Sequence, residues 1–501
     1  MIADAHPPLE RARDGVETRS GLSPWGLSEL PEPPRPHGFG WLSVCGPGVI
    51  VLGLSIGSGE FLLGPAVFVR YGLGMLWVTS VAIALQTIFN MEVMRYTMAT
   101  GEPIFTGFMR TRPSSTLWAI VYATLYLLQI GWPAFAGTAA GAIFFLGMRR
   151  LPDASDTSSI YYIGAGLFLS CALLLLLGKR IVRTLEILNW VVVSTTLAGF
   201  LIMALWFVPS AVWAQGLAGL AGLDLTTDRF QLLPSGADLT LLAALVAFSG
   251  VGGVGNLVLS NWARDKGYGM GERAGYISGA IGGERVHLAH AGFVFPPGAK
   301  AAERWRGWWR IVRVDQCAIF ALGSVLGMLL PALLYVTFLP RGTDIQGLGI
   351  SAALARAVGE REGALLAGVI AFLGAWVLFK TQLDNFEGMT RAMTDILWTG
   401  SPLVRRVKGG DVRRVYYTIM AVLTVWGVVA LQLAQPIVLL KVSANVAGVI
   451  FIIASLHLLY VNTRLLPAHV RPPMWRRLAL VAMTLFYGFF VSLSIAAALS
   501  S

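Results

Sequence analysis

Apolar runs long enough to cross a bilayer, roughly 20 residues each, recur from Trp41 to the C-terminus. No other feature constrains the chain as strongly. Backbone in hydrocarbon must satisfy its own N–H and C=O groups, so runs of this length read as transmembrane helices. The composition agrees: 55% of residues are hydrophobic and 13% charged, where a soluble protein carries about a quarter charged.

Apolar runs between polar breaks give eleven expected spans. They are Trp41–Val69, Met75–Met98, Thr116–Leu146, Ile160–Leu177, Leu185–Val208, Leu239–Trp262, Val314–Phe338, Ala364–Leu397, Tyr416–Leu433, Val438–Val461 and Leu478–Leu499. Residues 41–501 form one membrane domain on this reading. Residues 1–40 are polar and Pro-rich, with Pro31, Pro33, Pro34 and Pro36, and read as a flexible cytoplasmic tail. Cys45, Cys171 and Cys317 are far apart and form no CxxC pair. They read as small buried hydrophobes, with no disulfide framework or zinc site.

Basic residues set the expected orientation. Arg11, Arg13, Arg19 and Arg35 precede span 1; Arg110 and Arg112 follow span 2; Lys179, Arg180 and Arg183 follow span 4. Nine more, from Arg264 through Arg285 to Arg313, fill the loop after span 6, and further clusters follow spans 8 (Lys408 among them) and 10. The alternate loops hold few. The excess puts the N-terminus in the cytoplasm and, with an odd number of spans, the C-terminus outside the cell (inner) membrane. The net charge of +11 is thus a topology signal, with no nucleic-acid partner.

Two spans carry glycine clusters. Span 1 has Gly46-Pro47-Gly48, then Gly57-Ser58-Gly59-Glu60, then Gly64-Pro65; span 6 has Ser249-Gly250-Val251-Gly252-Gly253-Val254-Gly255-Asn256. Each glycine weakens a helix by about 1 kcal/mol against alanine. Close packing of helices is one use for such glycines. Spans 1 and 6, however, are the first members of two successive five-helix sets, and interruptions at matching positions point to a binding site at mid-membrane. Half-helix ends supply carbonyls for a cation or N–H groups for an anion. The expected substrate-binding positions are Gly57, Glu60, Gly250, Gly253 and Asn256, with Glu60 the candidate metal ligand.

The same residues carry a family resemblance. Gly46-Pro47-Gly48, the tetrad at 57–60, and Tyr71-Gly72-x-Gly74-x-Leu76-Trp77 resemble the first two helices of Nramp-type divalent metal transporters, and Asn256-Leu257-x-Leu259 is similar to the family's sixth helix. The resemblance implies an all-α, LeuT-type fold: two inverted five-helix repeats (about 41–208 and 239–461) and an extra helix (about 474–499). It also implies alternating access and movement of a divalent cation, with no catalysis and no resident cofactor. The departures concern the metal site. The family's Asp-Pro-Gly-Asn is here Gly57-Ser58-Gly59-Glu60, its Met-Pro-His is replaced by Gly253-Val254-Gly255, and its acidic pair in span 3 aligns with Gly131-Trp132-Pro133-Ala134.

Loss of the methionine removes the soft donor that favours transition metals. Glu60 and backbone oxygens would suit a hard ion, Mg²⁺ or Mn²⁺. Glu60 could instead pair with a basic residue and hold the break together. Span 8 is unusually polar, with Lys380, Asp384 and Glu387 turned towards the bundle interior. Lys380 and Asp384 are one helical turn apart, consistent with a stand-in for a co-ion, a proton carrier, or a plain ion pair. Gln86, Asn90 and Glu92 in span 2, and Asn445 in span 10, read as interhelical hydrogen-bond formers. An alternative reading is a carrier of an amino acid or carboxylate, held at the half-helix N-termini.

Three further matches carry less. Gly53-Leu-Ser55-Ile-Gly57 fits GxSxG but has neither the preceding strand nor a partner histidine. His287 and His290 lack an accompanying carboxylate motif. Trp305, Trp308 and Trp309 among Arg304, Arg306 and Arg310 suggest an amphipathic helix on the inner membrane face.

Overall fold

The computed structural model describes residues 21–500 except 178–180, 235, 280–287, 346–348, 408–409 and 434; of residues 58, 60, 407, 437 and 500 it describes the backbone alone. The side chain of Glu60, and the expected topology and loop residues Arg11, Arg13, Arg19, Lys179, Arg180, Arg285, His287 and Lys408, therefore lie outside the described set.

Among the described residues nine helices are long and apolar enough to cross a membrane: Leu73–Thr100, Ser115–Met148, Ala154–Leu175, Ile181–Phe207, Ala299–Phe338, Ala364–Gly400, Val412–Ala430, Val438–Leu465 and Met474–Leu499. These are spans 2 to 5 and 7 to 11. Span 6 is shorter because it is interrupted after the apolar helix Leu239–Phe248, whereas span 1 stays helical from Pro47 to Tyr71 through a π stretch. The chain is a multi-pass membrane protein of all-α type. Its only described strands are two-residue pairs in loops, Gly26–Leu27 parallel to Phe293–Val294, and Leu223–Asp224 antiparallel to Arg229–Phe230.

Local chemistry marks several boundaries. Ser114 accepts from the Leu117 N–H at 3.2 Å to start span 3, and Asp238 from the Leu241 N–H at 2.9 Å to start span 6. Gly101 ends span 2 in the left-handed conformation, φ 72°. Span 3 is interrupted at Gly131-Trp132-Pro133, between Ser115–Ile130 and Ala134–Met148, where proline removes a donor. Span 8 is the central post, packing against spans 1, 3, 4, 5, 6 and 9, while span 11 lies against spans 2, 6 and 10.

Two expectations change on the face that carries the basic loops. The tail was expected to be flexible to residue 40, but residues 21–39 dock on the protein. Leu30 is buried. The Trp25 indole donates to Glu102 at 3.0 Å, Trp308 to the Pro31 carbonyl at 3.0 Å, and Arg304 to the Leu30 carbonyl at 2.6 Å. The amphipathic segment Ala299–Arg313 runs without interruption through a π-helical stretch, Val314–Ala321, into span 7. Its tryptophans turn to the protein: Trp308 is buried beside Tyr268, and Arg95 and Arg476 stack on Trp309. Cys45 and Cys171 are buried as expected, but Cys317 is exposed, on the outward side of the π stretch.

Candidate functional site

Span 6 is broken where its glycines cluster. Helix Leu239–Phe248 ends at Ser249, and Val254–Lys266 begins after Gly253. Gly250, Gly252 and Gly253 have φ of 104°, 88° and 53°, values that a side chain disfavours. Span 1 behaves differently. Its helix does not unwind at Gly57-Ser58-Gly59-Glu60: Pro47–Ser55 passes into a π-helix, Ile56–Leu63, and back to α-helix at Gly64–Tyr71. The expected break in span 1 is thus a widened turn, a common device at functional positions. The two interruptions meet. A Cβ added to Gly59 would collide with the Phe248 carbonyl, and one added to Gly57 with the Thr381 hydroxyl. Glycine here serves close approach.

The backbone groups released in span 6 find partners in side-chain amides. Gln86, on span 2, donates to the Ser249 carbonyl and to the Tyr487 hydroxyl, both at 2.8 Å, and accepts from the Val251 N–H at 2.9 Å. Gln129, on span 3, donates to the Gly252 carbonyl at 3.0 Å and accepts from the Val254 N–H at 2.9 Å. An amide with one donor and one acceptor edge replaces the missing peptide partner. Gly250 and Gly253 therefore shape the turn, and the amide oxygens of Gln86 and Gln129 lie against them.

Asn256 closes the site. Its Nδ2 donates to Asn90 at 2.8 Å and to Gln86 at 3.2 Å. Its Oδ1 is buried and no described group donates to it. The amides continue inward: Asn90 donates to Gln316 at 3.0 Å, Gln316 to Asp315 at 2.8 Å, and Asp315 accepts from the Gly48 N–H at 3.0 Å. This chain joins the break to the start of span 1. Gln86 and Asn90 form the interhelical bonds expected of them. Gln129, Gln316 and Asp315 carry no motif; a lone glutamine one turn before a Gly-Trp-Pro kink was the available signal.

The three polar residues of span 8 are buried but divide into two groups. Lys380 pairs with Asp384, whose two oxygens each accept from Asn189 Nδ2 at 3.2 Å. Glu387 belongs to a separate network. It accepts from the Trp262 indole at 2.7 Å and pairs with Arg391 at 2.5 Å; Arg391 also pairs with Asp265, and Arg264 with Asp265 and Asp395, both at 2.6 Å. The spacing from 380 to 384, 387, 391 and 395 keeps one face of span 8 towards the interior. Asn445 bonds its own helix at the Lys441 carbonyl and accepts from Ser494 of span 11. Among the described residues no three His, Cys, Asp or Glu side chains converge as a metal cage.

No family model and no curated protein matches the sequence. Solved structures do match the fold. Crystal structures of single-residue variants of the Eremococcus coleocola manganese transporter superpose with a TM-score of 0.65 at 15% identity, over 94% of this chain and 90% of that one. The same transporter in complex with an aromatic bis-isothiourea substituted compound gives 0.58 at 16% identity, over 93% and 90%. At that identity the likeness is one of fold, and the fold is of LeuT type.

Proposed function

We propose that this chain is a secondary transporter that moves a divalent cation, of the Mg²⁺ or Mn²⁺ class, by alternating access, with its site between the span 6 break and the π-helical turn of span 1. The observation that carries the reading is Asn256 Oδ1, a fully buried oxygen at the edge of the break to which no described group donates. A buried acceptor left unpaired costs about 1–3 kcal/mol, and a cation relieves it. Glu60, in the facing π-helix, supplies the charge. Oxygen ligands without a thioether suit a hard ion that keeps part of its water.

The alternative, a carrier of an organic anion, needs free N–H groups at the half-helix. Those of Val251 and Val254 are already bonded to Gln86 and Gln129, which favours the cation. The basic loops support an inner-membrane location with the N-terminus in the cytoplasm and the C-terminus outside.

Purified protein in liposomes tests the reading with Mg²⁺, Mn²⁺ and Ca²⁺ uptake, with and without a pH gradient. Uptake of Mg²⁺ or Mn²⁺ that is lost in Glu60→Ala and Asn256→Ala supports it. Flux unchanged by both substitutions places the site elsewhere, and stabilisation by amino acids but by no metal supports the organic carrier.

A further inference from the structure

Residues 412–501 contain no Asp or Glu, yet Arg464, Arg471, Arg476 and Arg477 all fall in the turn from span 10 to span 11. Basic residues at span ends set orientation, and orientation needs only their charge. Their placement here is more specific. Arg476 turns inward, pairing with Glu92 of span 2 at 3.0 Å and stacking on Trp309. The other three line one open cavity of about 580 Å³ between the ends of the two spans. Among the described residues no carboxylate pairs with any of these three.

The backbone holds the arginines in place. Arg464 sits in the π turn Val461–Leu465 that closes span 10. Arg471 Nε donates to the Leu466 carbonyl at 2.9 Å, and Arg477 Nε to the Pro472 carbonyl at 2.9 Å. Pro467, Pro472 and Pro473 stiffen the link between the spans. A guanidinium anchored at Nε keeps its two terminal nitrogens for another acceptor, and their fork matches two oxygens of a phosphate.

The far wall of the cavity is apolar, made by Leu459 of span 10 and Leu478 and Val481 of span 11. Leu478 is 61% exposed, and so is most of Trp475 at the start of span 11, an aromatic at the depth of lipid headgroups. Span 11 is among the least buried of the nine long helices. A cationic rim thus adjoins an apolar wall on a face turned to lipid. A soluble phosphate would use the rim alone, whereas a phospholipid uses the rim for its headgroup and the wall for its acyl chain.

We propose that the turn between spans 10 and 11 binds an anionic phospholipid of the leaflet beside the basic loops, with Arg464, Arg471 and Arg477 on the headgroup phosphate. Three guanidiniums around one cavity favour a headgroup with two phosphates, as in cardiolipin, over a headgroup with one. The site is apart from the break in span 6 and does not rest on the function proposed above.

The full-length protein, purified in detergent and freed of lipid, is titrated with cardiolipin, phosphatidylglycerol and phosphatidylcholine, and bound lipid is counted by native mass spectrometry. Cardiolipin is expected to bind best and phosphatidylcholine least. Arg464 is exposed, so Arg464→Gln disturbs no packing and should weaken cardiolipin about fivefold. Arg471→Gln combined with Arg477→Gln should weaken it about thirtyfold. Arg406→Gln combined with Arg414→Gln removes the same charge from two exposed arginines of the same face outside the cavity, and should leave binding unchanged. Inorganic pyrophosphate, a doubly phosphorylated anion without chains, should fail to displace cardiolipin at equal concentration. Equal binding of the three lipids, an equal loss in the Arg406 and Arg414 variant, or full retention of cardiolipin by Arg464→Gln overturns the proposal. Displacement by pyrophosphate at equal concentration overturns it in favour of a soluble anion. If the Arg471 and Arg477 variant does not fold, Arg464→Gln alone decides.

Discussion

Gln86 and Gln129, from different spans, each bond the interrupted backbone of span 6 both as donor and as acceptor. The break is therefore a built piece of structure, closed by side chains where a helix would have closed itself. What it leaves open is narrow, chiefly the Asn256 oxygen.

Gln129→Leu keeps the volume and removes both bonds, leaving the Gly252 carbonyl and Val254 N–H buried without partners. The expected loss is about 1–3 kcal/mol for each unpaired group. Gln86→Leu should cost more, because Tyr487 and Asn256 lose a partner as well. Thermal unfolding in detergent measures both, and equal stability to the wild type would show that the amides are not what closes the break.

Gly59→Ala introduces a methyl group against the Phe248 carbonyl, a backbone atom that cannot rotate away. Spans 1 and 6 should be forced apart at the proposed site, so uptake should fall by at least about tenfold, the equivalent of 1.4 kcal/mol. Liposome flux is the measurement. Gly166→Ala is the control, since nothing lies within 4 Å of its added Cβ.

Glu102, in the loop after span 2, receives five donors: Arg110 twice, Tyr96, Trp25 and the Gly292 N–H. Burial alone would raise its pKa, but the Arg110 charge and these hydrogen bonds outweigh burial and hold the carboxyl below its ordinary value. A lowered pKa stabilises the fold above the unfolded value, about pH 4.3. That stability is lost as pH falls through the folded value. Hydrogen exchange at residues 24–30 and 292–295 should therefore stay slow at neutral pH and quicken in strong acid. Glu102→Gln should be fast at both, because the Arg110 guanidinium loses the carboxylate charge it faces. Equal exchange in variant and wild type at neutral pH would mean that the tail docks without Glu102.

Arg391 is fully buried between Glu387 and Asp265. Arg391→Met should cost about 3–5 kcal/mol, because Glu387 is left without its cation and Asp265 keeps only Arg264. Adding Glu387→Gln and Asp265→Asn should recover part of that loss. Yield of monodisperse protein and thermal unfolding check the order of the variants.

The long apolar runs made the spans legible, because hydrocarbon thickness imposes their length. Spans 1 and 6 are both marked by glycine, but only span 6 is broken, while span 1 widens into a π turn. Glycine density reports that a helix is weakened, and the resulting geometry depends on what lies alongside. Span 6 has Gln86 and Gln129 to receive its freed groups. Residues 21–39 dock although proline dominates them, because Trp25 and Leu30 anchor them. Asn189 and Asp315 could not be singled out from spacing, since their partners lie on distant spans.

The helix Ala299–Phe338 has 40 residues, about 60 Å at 1.5 Å per residue, or twice the thickness of the bilayer core. Its N-terminal third is clamped to residues 30–32 through Arg304 and Trp308, and its middle holds Asp315 against the first turn of span 1. The docked N-terminal segment and the first turn of span 1 are thus held by one and the same helix.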